Sequence, residues 1–332
     1  MSSISAGWQE LAAGTSSVHV AVDRLDAVGP DTIKFLHSLV SQNIADLAVG
    51  SGAWTFLLQP QGKVTSFAYA RRLADEHVVL LTEPGFGEVL HTALSRYRIR
   101  TKCELTLHLG SSASVSFADG MPTFTVTETP IPFAGGQGPT IYNTARIVNG
   151  WPTQPNEITE STIPNETGVL RQSVNFTKGC YVGQELVERI DSRAATTPRR
   201  LVRLVDFVVP GVAAGAEGLD DADLSALGGA ELRVAAVVVS DTNDSASGDQ
   251  GVVDPEPGSK VVGMLTSIVR TGPGVAGMCA LAYVSRAVAD GSHVAISGTA
   301  FTATVAVLRD EASAITVAPA GVRSSATMGR KG

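Results

Sequence analysis

Cysteine is scarce: Cys103, Cys180 and Cys279 are the only three in 332 residues, 77 and 99 positions apart. An odd, widely spaced set without a CxxC or paired-histidine pattern excludes a disulfide framework and argues against zinc. The six histidines form no HxxxH or HExxH pattern, and no G-x-S-x-G marks a nucleophilic serine. No run of 18 apolar residues exists, so no spanning helix is expected. The opening MSSISAGWQE lacks the basic-then-apolar pattern of a secretory leader. Aromatics are few, at 5%, which leaves the basic clusters without the interleaved rings that nucleic-acid stacking requires. Together these absences predict a cytoplasmic, reducing setting, no resident metal, no membrane contact and no direct nucleic-acid binding.

Charge is sparse as well, at 17% of residues, and it is unevenly placed. The net −7 arises in one stretch: Glu217 to Glu256 holds ten acids and one base, and the remaining chain carries 24 bases against 22 acids. Arg96, Arg98, Arg100 and Lys102 form one basic cluster, and Arg171 to Arg203 carries seven bases against three acids. An anionic ligand would therefore be expected to meet a basic mouth despite the acidic total.

The apolar pattern predicts an α+β body followed by an all-β unit. Gly29-Pro30 precedes a short buried helix over 31–40, and WTFLL–QPQGK–VTSFAYA reads as a hairpin. HVVLLT is a strand, followed by a helix with Phe86, Val89, Leu90, Ala93, Leu94 and Tyr97 on one stripe. CELTLHL, SVSF and TFTVTE alternate as strands, without a βαβ rhythm. Beyond about 196, LVRLVDFVV, LRVAAVVV, SKVVGMLTSIV, MCALAYV, HVAIS and FTATVAVL are short strands with Gly, Pro and Asp between them, as in a small β-barrel. The expected organisation is a body over 1–195, a barrel over 196–318 with an acidic mobile loop at 241–259, and a frayed tail at 319–332. Gly272 to Gly277 spells G-x-G-x-x-G, but a strand rather than a helix follows it, so it reads as a β-turn and not a dinucleotide site.

The segment that points to chemistry is Lys178-Gly179-Cys180-Tyr181-Val182-Gly183-Gln184-Glu185. Two glycines would allow a tight path with positive φ and close approach by another group. Lys178 beside Cys180 would favour the thiolate, making Cys180 a candidate reactive thiol. The blander alternative is a turn around a buried small hydrophobe.

This octapeptide resembles the signature of YgfZ-type folate-binding proteins, relatives of the aminomethyltransferase (T-protein) of the glycine cleavage system. VGPDTIKFLHSLVSQNI, LLQPQGKV, RYRIRTKCEL, ARIVNGWP, IPNETG and the GMLTSIVRTGPGVAGMCALAYV strands also match in order, over roughly residues 20–310. The resemblance implies a body of mixed α/β subdomains around a central hole, a C-terminal β-barrel, and tetrahydrofolate as ligand. It implies Tyr142 against the folate, Arg146 and Glu166 lining its site, Tyr181 and Gln184 near it, and Gly179, Gly183 and Glu185 as signature backbone, with Cys180, beside Lys178, expected to act at the mouth of the folate cavity. Aminomethyltransferases carry an aspartate in the helix after the VVLL-type strand; TEPGFGEVLHTALSRY has none, and offers only Glu83 and Glu88. That departure favours the YgfZ branch, associated with iron–sulfur cluster assembly or repair in client enzymes and, through them, tRNA modification. The alternative is a folate-dependent aminomethyltransferase or other one-carbon transferase.

Overall fold

In the computed structural model, the described residues are 4–192, 197–209, 224, 226–238, 251–253, 260–274 and 277–308. The expected boundary at 195–196, the tail 319–332 and the acidic loop 241–259, except for its residues 251–253, lie outside them.

The body is one antiparallel sheet covered on both faces. Its strands are β1 (Val18–Val28), β2 (Gly52–Leu58), β3 (Val64–Ala74), β4 (His77–Thr82), β5 (Glu104–Ala118) and β6 (Met121–Thr125), in the order β2-β3-β4-β1-β5-β6. Alternation sorts side chains between the faces. Val79 and Leu81 of β4 join Trp54, Phe67 and Phe124 on one face, whereas Val78 and Leu80 join Ala68, Ala70 and Leu25 on the other. A strand buried on both sides needs apolar residues at every position, which is why HVVLLT is a continuous apolar run.

Helices α2 (Thr32–Leu39) and α3 (Gly87–Ser95) cover the second face. The stripe expected on α3 is narrower than its spacing suggested. Leu90 and Leu94 are buried, but Val89 is exposed because only one edge of this short helix meets the sheet, and the exposed Tyr97 lies beyond the helix's end at Ser95. Helices α1 (Ile4–Ala12) and α4 (Gly138–Asn149) cover the first face. After a 3-10 turn at Pro164–Glu166 come α5 (Leu170–Ser173) and α6 (Gln184–Ser192).

The all-β half is a closed six-stranded barrel. Its strands are β7 (Arg199–Val208), β8 (Glu231–Val234), β11 (Val261–Arg270), β12 (Met278–Ser285), β13 (His293–Ile296) and β14 (Thr302–Val307), in the order β11-β12-β7-β14-β13-β8. LRVAAVVV is not one strand. It divides at Ala235 into β8 and a separate β9 (Ala236–Val238), which pairs with β10 (Gly251–Val253) outside the barrel. Arg270 pairs with Met278, and Gly272 donates to the Gly277 carbonyl, so the strands flanking the glycine-rich segment are antiparallel neighbours and no helix follows it.

Helix α4 lies between the halves. Tyr142 and Ala145 pack on the sheet, while Ile147 packs on Leu201, Leu281 and Tyr283 of the barrel's outer wall. Pro139 starts the helix, and Gly150, at φ 77°, ends it in the left-handed region that a side chain would strain. Polar groups facing out of this helix are thus held at a junction of three elements.

Candidate functional site

A cavity of about 290 Å³ opens between the sheet's first face, α4 and the 152–156 loop. Its apolar walls are aromatic. Trp54 stacks on Phe67 at 4.5 Å between centroids and meets Phe124 edge-on at 5.8 Å, and Phe124 in turn meets Tyr142 at 6.0 Å. The Trp54 indole donates to the Pro122 carbonyl at 2.7 Å, which fixes that ring. Gln154 docks the loop by accepting from the Phe67 amide and donating to the Thr65 carbonyl.

Behind this wall sits a buried ion pair, Arg146 with Glu157, at 3.0 Å and with side chains 2% and 0% exposed. Two ions in a dry setting need their remaining hydrogen-bonding capacity filled, and it is. Arg146 also donates to Asn143 Oδ1, the Trp151 carbonyl and Ser267 Oγ. Glu157 accepts from the Thr153 amide, from Thr266 Oγ1 and from Ser267 Oγ. Ser267 follows a register shift in β11, and such an irregularity turns a side chain away from the ladder. A barrel strand thereby closes a network begun on α4.

Three polar groups on the cavity wall are not satisfied. The hydroxyls of Thr82 and Tyr142 are buried without a hydrogen-bond partner. The Glu83 carboxylate has none among the described residues either. Buried polar groups without partners are uncommon in folded proteins and call for an explanation. Glu83 is half-buried on the cavity wall. Burial pushes its carboxyl up to about 7, overcoming the opposing pull of Arg146 and reinforced by Glu157. The same burial, with Glu83 and Glu157 nearby, holds the Tyr142 phenol well above its ordinary value.

The residues expected at the site divide between two places. Tyr142 and Arg146 line the cavity. Glu166 does not: it sits in the 3-10 turn, bonded to Arg199 Nη2 at 3.0 Å and Nε at 3.1 Å, and that guanidinium lies over the Tyr283 ring. No residue from Lys178 to Glu185 is on the cavity wall. Cys180 is exposed, whereas Cys103 and Cys279 are buried. Lys178 is turned away from the thiol role expected of it. Its ammonium donates to the carbonyls of His37, Val40 (2.6 Å) and Gln42 (3.1 Å) at the end of α2. Burial lowers it to about 8.

Tyr181 is buried, 5.3 Å from the Lys178 ammonium, and joins the aromatic core. Gln184 is taken up locally, accepting from the Tyr181 amide at 3.1 Å and donating to Glu188. Glu185 is exposed on α6. Gly183, at φ 79°, approaches the Gln59 carbonyl so closely that an added Cβ would lie 2.5 Å from that oxygen. Gly179 has no positive φ and open space around it, so the expected tight path holds for one glycine of the two.

Glu157, Ser267 and Asn143 escaped the sequence reading, and Glu83 entered it only as a substitute for a missing aspartate. No local motif marks Glu157 or Ser267, since they meet across 110 residues. The detectable signal was at Glu83: an acid directly after a strand buried on both faces. Among the described residues, no cluster of metal-binding side chains is present, and no helix is long and apolar enough to cross a membrane.

No family model matches the sequence. An uncharacterized protein of Haemophilus influenzae is 26% identical over 188 residues, 52% of this chain and 66% of that one. Mitochondrial iron–sulfur cluster assembly factor IBA57 homologues are 30% identical over 207 residues in Pyricularia oryzae and 25% over 218 in Neurospora crassa. Each of these matches covers 52% of this chain, and they cover 53% and 49% of the two fungal proteins. The matches thus span about half to two thirds of the length of these curated relatives. Among solved structures, glycine cleavage system aminomethyltransferase T from Bartonella henselae superposes with a TM-score of 0.63 at 14% identity, covering 92% of this chain and 89% of that one. That likeness establishes the fold. The chain thus has the fold of aminomethyltransferase T, and over about half of its length its sequence resembles IBA57 homologues.

Proposed function

We propose that the chain is a tetrahydrofolate-binding accessory protein of iron–sulfur cluster assembly or repair. The observation that carries this reading is the cavity, where aromatic walls surround a wall of polar groups lacking protein partners. A reduced pterin is a flat ring with a polar edge, and such a site suits it. Tetrahydrofolate, when bound, supplies a nitrogen acceptor for one-carbon groups. The chain's own residues bind and orient it: Trp54 and Phe124 give the ring apolar faces, and α4 holds Tyr142 and Arg146 at its margin. The iron–sulfur part of the reading rests on the likeness to proteins named as assembly factors.

Cys180 is the reactive thiol in this reading, exposed on a segment separate from the cavity wall. Its clients are iron–sulfur enzymes, with tRNA modification as a downstream consequence. The test has two parts, calorimetry with tetrahydrofolate and complementation of a deletion strain. Saturable binding, and iron–sulfur enzyme activity restored by the wild type but not by Cys180→Ser, are the expected results. A wild-type protein that takes up no tetrahydrofolate at high ligand overturns the folate reading and leaves a scaffold. Full restoration by Cys180→Ser overturns the thiol's role.

One observation favours a second reading, an aminomethyltransferase: the fold match extends over 92% of the chain. It requires tetrahydrofolate-dependent release of ammonia from an aminomethylated lipoyl carrier protein. No turnover is expected, because α3 carries no aspartate.

A further inference from the structure

We propose that Glu83 is the residue by which the cavity reads its ligand, its carboxylate taking the paired N–H donors of a 2-amino-4-oxopyrimidine edge. This rests on the folate reading for the source of that edge, a pterin, while guanine carries the same donors.

The assignment follows from which acids still have lone pairs to offer. Glu166, the acid that the family resemblance would use, is held by Arg199 away from the wall. Glu157 is saturated by Arg146, Thr153, Thr266 and Ser267. Asp23, behind the start of α3, accepts from the amides of Gly85, Gly87 and Gly110. Glu83 alone among these faces the cavity uncommitted. An ionised carboxyl has two oxygens that accept side by side, matching an amino group and a ring N–H on one edge. The orphaned hydroxyls of Thr82 and Tyr142 stand on the same wall and can serve the neighbouring carbonyl and ring nitrogen. Trp54 and Phe124 supply the stacking surface, and 290 Å³ admits a bicyclic ring while leaving a longer tail outside.

The geometry carries a pH signature. Glu83 is faced by Arg146 and Tyr142 from α4, by Glu157 from the loop after it, and by Asp23 of β1 across Gly85 and Gly87. With its carboxyl at about 7, it is mostly protonated at pH 6 and mostly ionised at pH 8. Only the ionised form accepts both donors, so affinity should rise about tenfold across that interval.

The experiment titrates tetrahydrofolate and, separately, guanosine into wild type, Glu83→Gln and Glu166→Gln at pH 6 and pH 8, read by calorimetry and tryptophan fluorescence. Glutamine is isosteric and neutral, and a melting curve at each pH verifies the fold. Wild type should bind tetrahydrofolate about tenfold tighter at pH 8 than at pH 6. Glu83→Gln should weaken binding at pH 8 by at least about tenfold and remove the pH dependence. If Glu83→Gln binds tetrahydrofolate as wild type does, or if Glu166→Gln carries the loss instead, the assignment of Glu83 falls and the folate reading stands. If only guanosine binds, and Glu83→Gln abolishes it, the folate reading falls and Glu83 stands. Binding of neither ligand overturns both.

Discussion

Glu83 and Glu157 are both glutamates near Arg146, and their environments make them opposites. Glu157 is fully buried but fully bonded, so removing it would leave Arg146 as an uncompensated buried cation. Glu157→Ala should cost about 3–5 kcal/mol in a denaturant titration. Glu83 has no such partners, and its folded-state pKa of about 7 lies above the ordinary carboxylate range. The folded state therefore holds this proton more tightly than the unfolded chain between about pH 4.5 and 7, and stability declines as pH rises through that window. Above it the charged carboxyl is a standing penalty, bounded by about 3 kcal/mol and reduced by whatever water the cavity admits. Glu83→Gln should accordingly raise the melting temperature at pH 8 and leave it nearly unchanged at pH 4.5. An equal effect at both pH values would mean that the carboxyl is not perturbed. A residue that costs stability at neutral pH is a natural candidate for one retained for binding.

At the scale of elements, the signature is a turn that locks onto the β2–β3 hairpin and the end of α2, and its residues divide by what they touch. Gly183→Ala must strain a positive φ and push a Cβ against the Gln59 carbonyl, and should cost about 2 kcal/mol or more. Gly179→Ala meets open space and should change stability by less than about 0.5 kcal/mol. Lys178→Met removes a cation from three carbonyls at the C-terminal end of α2, and should cost about 1–2 kcal/mol. Midpoints from urea unfolding separate these three variants. The hairpin, β4 and most barrel strands were legible in the sequence because short apolar or alternating runs and the turn residues between them are local signals. Tyr142 and Arg146 were legible only through the family resemblance. Glu166 is bonded to Arg199 instead, a partner 33 residues downstream on β7 that no local pattern around Glu166 marks. Ser267 was invisible because its direction depends on a shift of register within β11.

For the whole molecule, the charge arithmetic needs a different reading once partners are assigned. The basic segment from 171 to 203 suggested a mouth that attracts anions. In the structure Arg171 pairs with Asp191, Lys178 serves backbone carbonyls, Arg199 holds Glu166, and Arg203 donates to the Val148 carbonyl. The ionisable groups on the cavity wall with opposite charges are Glu83 and Arg146, with Glu157 directly behind the latter. Opposite charges this close cancel at a distance, and residual surface fields are screened within about 10 Å at 0.1 M salt. The site is therefore built for hydrogen-bond recognition in a low-dielectric recess, which salt barely touches and protonation controls. Tetrahydrofolate affinity at pH 8 should change by less than about twofold between 0.05 and 0.5 M salt. A loss of tenfold or more over that range would restore the basic mouth as the binding determinant and place the ligand's anionic end among those arginines.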